Sequence, residues 1–295
     1  GSTMEASFFT QVLLPASLAL IMFGMGLSLT LDDFKRLMRT PKAVSLGLFG
    51  QMICLPLVAF TLCVALDVAP HIAIGIMVLA ACPGGTSSNL LSHIGRANLA
   101  LSVSLTAITT VLCVVTTPWL IKFSVDYFTI LPKEPFSLLK TSLSLLVITL
   151  IPILIGMSVR HYALRFAQRS EGLFRHISTL FLFTMIILIS IDEQEMLLES
   201  FPHVFILTFG LNILATVIGV ALARIGNLSD NDAVTLGIEV GTQNATMSIL
   251  ISVSFLQHPE YAIASGVYGV TMYVGAFILI MSRKLGWFGF TPKVS

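Results

Sequence analysis

Long runs of apolar residues, separated by short polar or turn-forming segments, set the rhythm of this chain. A helix rises about 1.5 Å per residue, so about 20 apolar residues cross a hydrocarbon core roughly 30 Å thick. Nine stretches meet or approach that length: Phe8–Leu29, Ala43–Ala65, His71–Ser92, Leu99–Phe123, Leu138–Val159, Ile177–Ile191, Val204–Ala223, Ala233–Leu256 and Ala262–Met281. The sixth is the shortest. Turn chemistry divides them at Asp32-Asp33 and Thr40-Pro41, Asp67 to Pro70, Leu131-Pro132 to Pro135, Phe201-Pro202, Gly226 to Asp232 and His258-Pro259. The pattern predicts an all-α polytopic membrane protein with nine transmembrane spans and short loops.

Composition agrees. Hydrophobic residues make up 56% of the chain and charged residues 11%, against about 25% charged in an average soluble domain. No basic patch suited to nucleic acid is present. Short cytoplasmic loops carry excess Lys and Arg, which tests the span count. With nine spans and the N-terminus outside, thirteen of the 16 Lys and Arg residues fall on the inner side. Only Lys122, Lys133 and Lys140 fall outside, where Asp192, Glu193, Glu195 and Glu199 cluster. The predicted topology is therefore N-out and C-in, in a membrane that the compact chain suggests is a bacterial inner membrane. Cys54, Cys63, Cys82 and Cys113 all lie in apolar spans without metal-ligand spacing and read as small core hydrophobes. Gly1-Ser2-Thr3 before Met4 reads as a tag scar, and no signal peptide is expected.

Among 15 acidic residues, Glu239 alone sits deep inside an apolar span. A carboxylate near the bilayer centre costs about 2.5–3.5 kcal/mol even on the lenient insertion scale, so a partner must compensate it. A bound cation is the candidate, because Gly241, Thr242, Gln243 and Asn244 follow with oxygen-bearing side chains and a residue that lets the helix break. A second break falls at Cys82-Pro83-Gly84-Gly85-Thr86-Ser87-Ser88-Asn89, where proline removes a donor and two glycines permit unwinding. Freed backbone groups at membrane depth are tolerated only within protein or beside a water-filled cavity. Paired interruptions in two halves point to a transport site at the midplane. The third and eighth spans would correspond in inverted repeats of five spans, the first repeat lacking its opening helix. The fold class expected is an inverted-repeat transporter with two discontinuous helices.

These motifs carry a resemblance. Ile21 to Leu29, Cys82 to Asn89 with Ala100-Leu101-Ser102-Val103, and Ile238 to Asn244 resemble the bile acid:sodium symporter family over nearly the whole chain. The resemblance implies sodium-coupled symport of an organic anion, bile-acid-like or a small organic acid, by alternating access. Two Na+ sites are implied: Ser88, Asn89, Ser102, Thr106 and Glu239 for the first, and Gln51, Glu239, Val240, Thr242 and Gln243 for the second, with Val240 offering its carbonyl. Independently, these positions supply the oxygen donors a hard cation requires. Residues 1–40 and 137–195 would form a panel of spans 1, 5 and 6. Residues 41–131 and 200–285 would form a core of spans 2–4 and 7–9, in which the resemblance implies that the two discontinuous helices are crossed. Solute would bind between them near Asn89 and Asn244, with Asn212 as a further polar candidate. Bacterial relatives have ten spans and carry a His-Asn pair where this chain reads Met272-Tyr273, which bears on solute identity.

Plainer roles compete for several of these residues. Ser102 and Thr106 can bond back to their own helix or join helices, and Gln51 and Asn212 can serve helix packing. No embedded aspartate pair or Ser/His arrangement supports an intramembrane enzyme. A cation/proton antiporter, with Glu239 as the exchanging carboxylate, is the alternative transport reading.

Overall fold

The computed structural model describes residues 8–129 and 137–292. The expected turn at Leu131-Pro132 to Pro135, with Lys133, lies outside the described residues, as do Lys293 and Gly1-Ser2-Thr3. Twelve helices are assigned among the described residues. After a π-turn at Phe9–Leu13 come α1 (Leu14–Gly26), α2 (Leu31–Arg39), α3 (Pro41–Ala65), α4 (Pro70–Ala81), α5 (Thr86–Ile94) and α6 (Leu99–Phe128). The second half holds α7 (Leu138–Tyr162), α8 (Leu164–Asp192), α9 (Gln194–Ile225), α10 (Asp230–Gly241), α11 (Ala245–Phe255) and α12 (Ala262–Leu285).

Six helical segments are long and apolar enough to cross a membrane: α3, α6, α7, α8, α9 and Pro259–Leu285, which contains α12. A seventh is counted if the segments Gln11–Gly26 and Leu31–Arg39, bent by 66°, are taken as one. Large apolar side chains such as Leu57, Trp119, Leu180 and Ile206 are exposed on the outer surface, where lipid in place of water removes the cost of exposure. The chain is an integral, multi-pass membrane protein.

Several boundaries move from their expected places. The short sixth stretch lies in a 29-residue helix, because α8 begins at Leu164 and carries Arg165, Arg169 and Arg175 before the apolar run starts. Charge marks where a helix leaves lipid and does not end it. Likewise Phe201-Pro202 is not a turn: Pro202 lies inside the 32-residue α9. One proline removes a single backbone donor, and helices in membranes absorb that loss. Asp32-Asp33 open α2 instead of a loop, with Asp33 Oδ2 accepting the Thr30 backbone N–H at 2.8 Å. Thr40-Pro41 does separate α2 from α3.

Helices α1, α7 and α8 pack on one another. Gly26 and Gly156 allow the α1 and α7 backbones to touch: a Cβ on either would meet a main-chain oxygen of the other helix, Ile153 or Phe23. In the other group, α10 packs against α9, α12, α6 and α5, while α4 packs against α6 and α12. The first group meets the second along α8 with α12, α7 with α6 and α1 with α11.

Candidate functional site

The two sequence breaks meet in space. Helix α4 stops at Ala81, where Pro83 and the glycines interrupt the backbone ladder, and α5 starts at Thr86. Helix α10 stops at Gly241 and α11 starts at Ala245. Gly84 and Gln243 form an isolated antiparallel bridge, and the Asn244 N–H donates to Pro83 O at 2.9 Å. Each break thus supplies part of the other's missing hydrogen bonding. Asn244 also caps α11, its Oδ1 accepting the Met247 N–H at 3.0 Å.

Glu239 sits in the last turn of α10, just before this crossing point, and is 2% exposed. Its Oε1 accepts from Ser88 Oγ at 2.6 Å, Ser102 Oγ at 2.6 Å and Thr106 Oγ1 at 3.0 Å, and its Oε2 lies 3.2 Å from the same threonine. Asn89 Oδ1 faces Ser102 and Thr106 at 2.9 and 3.1 Å. Ser88 Oγ lies 2.6 Å from Gly85 O and 3.2 Å from Thr106 Oγ1. Ser88 and Asn89 come from α5, and Ser102 and Thr106 stand one turn apart on α6, so three helices converge. These are eight short oxygen–oxygen contacts sharing three hydroxyl protons. A hydroxyl donates one proton at a time, and even a protonated Glu239 adds only a fourth. Acceptor lone pairs thus outnumber the protons available to them, the imbalance that a hard cation satisfies.

Behind Glu239 is a second polar group. A π-turn at Gly50–Cys54 in α3 carries Gln51, which is 3% exposed; π-turns recur at functional sites. Gln51 Nε2 donates to Gln243 Oε1 at 2.7 Å, and Gln243 Nε2 donates back to Gln51 Oε1 at 3.3 Å and to Val240 O at 3.0 Å. Thr242 is fully buried, and its Oγ1 has no hydrogen-bond partner. A buried hydroxyl without a partner is costly, and a cation at this position would remove that cost. Among the described residues no group of three His, Cys, Asp or Glu side chains could hold a metal. The donors are neutral oxygens around one carboxylate, which suits an alkali cation better than a transition metal.

Asn212 is placed elsewhere. Fully buried, it donates to Gly241 O at 3.0 Å and Met272 O at 3.2 Å and accepts from the Gly275 N–H at 2.9 Å. Its hydrogen bonds tie α9 to the end of α10 and to α12. Tyr268 on α12 donates to the same Gly241 carbonyl at 2.7 Å. Tyr268 is not among the residues expected from sequence, although a phenol in an apolar span needs a partner. Nor does the sequence pair Tyr273 with the first break, where its hydroxyl lies 3.1 Å from Ser87 Oγ.

A cavity of about 350 Å³ lies between α1, α5 and α8, with Met25, Thr86, Asn89 and Phe174 among its walls. A smaller cleft of about 30 Å³ shares Ile21, Thr86 and Ser178 with it and reaches Gln243 and Asn244. Asn89 and Asn244 therefore face adjoining space beside the breaks, whereas Asn212 lines neither.

The profile of the Sodium Bile acid symporter family matches residues 15–200. The chain is 32% identical to the uncharacterized sodium-dependent transporter YocS of Bacillus subtilis over 253 residues, covering 86% of this chain and 77% of that protein. It is 28% identical to the probable sodium/metabolite cotransporter BASS2, chloroplastic, of Oryza sativa subsp. japonica, across 94% of this chain and 64% of that protein. With the ileal sodium/bile acid cotransporter of Homo sapiens it shares 29% identity, across 84% of this chain and 71% of that protein. The chain spans less than two thirds of the plant relative's length. With the family profile covering more than half of its residues, the chain belongs to the sodium bile acid symporter family.

Proposed function

We propose that this protein is a secondary active transporter that couples sodium to the movement of an organic anion. The observation that carries this reading is the excess of acceptor oxygens over protons around Glu239. In this reading Ser88, Asn89, Ser102, Thr106 and Glu239 hold one sodium ion. Gln51, Glu239, Val240, Thr242 and Gln243 hold the second, and the reciprocal Gln51–Gln243 amide pair opens so that both carbonyl oxygens turn to the ion. The partnerless Thr242 hydroxyl supports the second site.

Nine spans follow when α1 is counted as one and the pairs α4–α5 and α10–α11 as two broken ones, with the N-terminus outside and the C-terminus inside. The repeats are then inverted, with four spans in one and five in the other. The mutual packing of α1, α7 and α8 supports a panel of residues 1–40 and 137–195 against a core of residues 41–131 and 200–285. Solute would occupy the space between them beside Asn89 and Asn244, reached from alternate sides as the core moves against the panel. The Bacillus relative supports a bacterial inner membrane as its location. Two sodium ions with a monovalent anion would carry one net charge, worth about 2.3 kcal/mol per 100 mV.

The test is uptake by the purified protein in proteoliposomes, for a panel of organic anions including a bile acid and small carboxylates. Uptake should require an inward sodium gradient and vanish when potassium replaces sodium. Sodium flux that needs no organic anion and runs against a proton gradient would replace this reading with antiport.

A further inference from the structure

We propose that Arg175, with Arg160 lining the same 350 Å³ cavity, holds the acidic group of the transported solute, while the solute's uncharged polar end reaches Thr86 and Asn89. This rests on the transport reading above and names the chemistry that selects its solute.

The ionisable groups lining the cavity are Arg160, Arg175, Glu171 and His93, so its two guanidiniums outnumber its one carboxylate. On α8, Glu171, Phe174, Arg175 and Ser178 follow at helical spacings and so share one helix face. Glu171 and Arg175 stand in the favoured order for an i,i+4 ion pair, yet no ion pair joins them among the described residues. Arg175 thus keeps its guanidinium fork for another acceptor. Arg160 is half-buried on α7 and anchored by one bond, Nη1 to Leu27 O at 3.1 Å. The remaining N–H groups of a guanidinium can take a carboxylate in bidentate fashion.

Ile21, Met25, Leu90 and Val103 supply apolar surface to the same cavity, with Ser28 and Ser178 as small polar interruptions. Thr86 and His93 are separated on α5 by about 10 Å of helix rise. The volume lies near the lower end of the roughly 300–1,000 Å³ range of small-molecule pockets. The geometry therefore suits a small acid with an apolar middle and an uncharged hydroxyl or carbonyl at the far end. Cations that outnumber carboxylates along a cleft also raise the local concentration of anions.

The experiment compares ω-hydroxy acids of roughly three to eight carbons, lengths on the scale of that helix rise, with their primary amides, which keep the shape and lose the charge. Binding is measured calorimetrically in sodium buffer on wild type, Arg175→Gln and Arg175→Lys in phosphatidylcholine nanodiscs. At least one acid should bind wild type tenfold or more tightly than its amide. Arg175→Gln should remove that preference without changing the stabilisation by sodium alone, and Arg175→Lys should restore only part of it, because an ammonium lacks the planar fork. Equal binding of acid and amide, no binding by any acid, or an undiminished preference in Arg175→Gln would overturn the proposal. Equal binding of acid and amide in phosphatidylcholine, with added phosphatidylglycerol stabilising wild type but not Arg175→Gln, would assign Arg175 to a lipid headgroup instead. Absence of any sodium effect on wild type would remove the transport reading itself, and this proposal with it.

Discussion

Replacing Glu239 with glutamine removes one formal charge from the buried oxygen cluster while nearly preserving its shape. Glutamine can still accept from Ser88 or Ser102 through Oε1, and its amide can donate to Thr106 Oγ1, which lies 3.2 Å from the Oε2 position. The fold in potassium should therefore survive. What is lost is attraction for a cation. Two unit charges 4 Å apart interact by about 4 kcal/mol at an effective dielectric constant of 20, and each 1.4 kcal/mol is tenfold in affinity. A loss of roughly a thousandfold in sodium affinity follows. If Glu239 serves two ions, both should weaken together. The assay is thermal unfolding in detergent across a sodium chloride titration, with potassium chloride holding ionic strength constant. Wild type should gain melting temperature with sodium, whereas Glu239→Gln should be flat over the same range and match wild type in potassium. A variant that keeps most of the sodium-dependent shift would refute the assignment of Glu239 as the charge that binds the ion.

Three other substitutions probe the surroundings. Gly84→Ala would place a methyl group 2.8 Å from Glu239 Oε2, so it should cost sodium affinity tenfold or more in the same titration while lowering the potassium melting temperature much less. Asn212→Ala removes three buried hydrogen bonds, and although the Gly241 carbonyl keeps Tyr268 as a donor, each partner left unsatisfied costs about 1–3 kcal/mol; a clear drop in melting temperature with and without sodium is expected, and an unchanged one would contradict its role as a tie between α9, α10 and α12. Glu193, in the link between α8 and α9, has its pKa raised by burial and by the neighbouring Asp192 and Glu260 carboxylates. A carboxyl whose folded pKa exceeds its unfolded value is destabilising once ionised, so stability should increase as pH falls through the raised folded value. Glu193→Gln should raise the melting temperature at neutral pH and flatten that pH dependence, which melting curves across the acid range would check.

Much of the site was legible because its chemistry is unusual where it stands. Glu239 stood out because an uncompensated carboxylate is expensive in lipid, and the two Gly-Thr interruptions stood out because broken helices are rare at membrane depth. Nothing local marks Asn212 as a helix tie rather than a solute contact, since either role needs a polar side chain in an apolar span. Its partners lie 29 to 63 residues away in sequence. The helix limits at Leu164 and Gln194 were illegible for another reason: hydropathy reports where a segment meets lipid, while a helix continues for as long as its backbone bonds are made.

The sequence by itself determined the solvent of this protein and its list of special residues. Apolar runs of membrane length can be satisfied only by helices in lipid, and a few polar positions within them must be compensated. Only the tertiary structure decided which of those residues compensate one another. Ser88, Ser102 and Thr106 share Glu239, and Gln51 reaches Gln243 across 192 residues. Such pairings depend on how helices from distant parts of the chain pack and on which side of each helix faces its neighbour. Arg175 shows the same division: in the sequence it is one of four arginines between the fifth and sixth apolar stretches, and the packing of α8 against α1, with α5 across the gap, makes it part of a cavity wall.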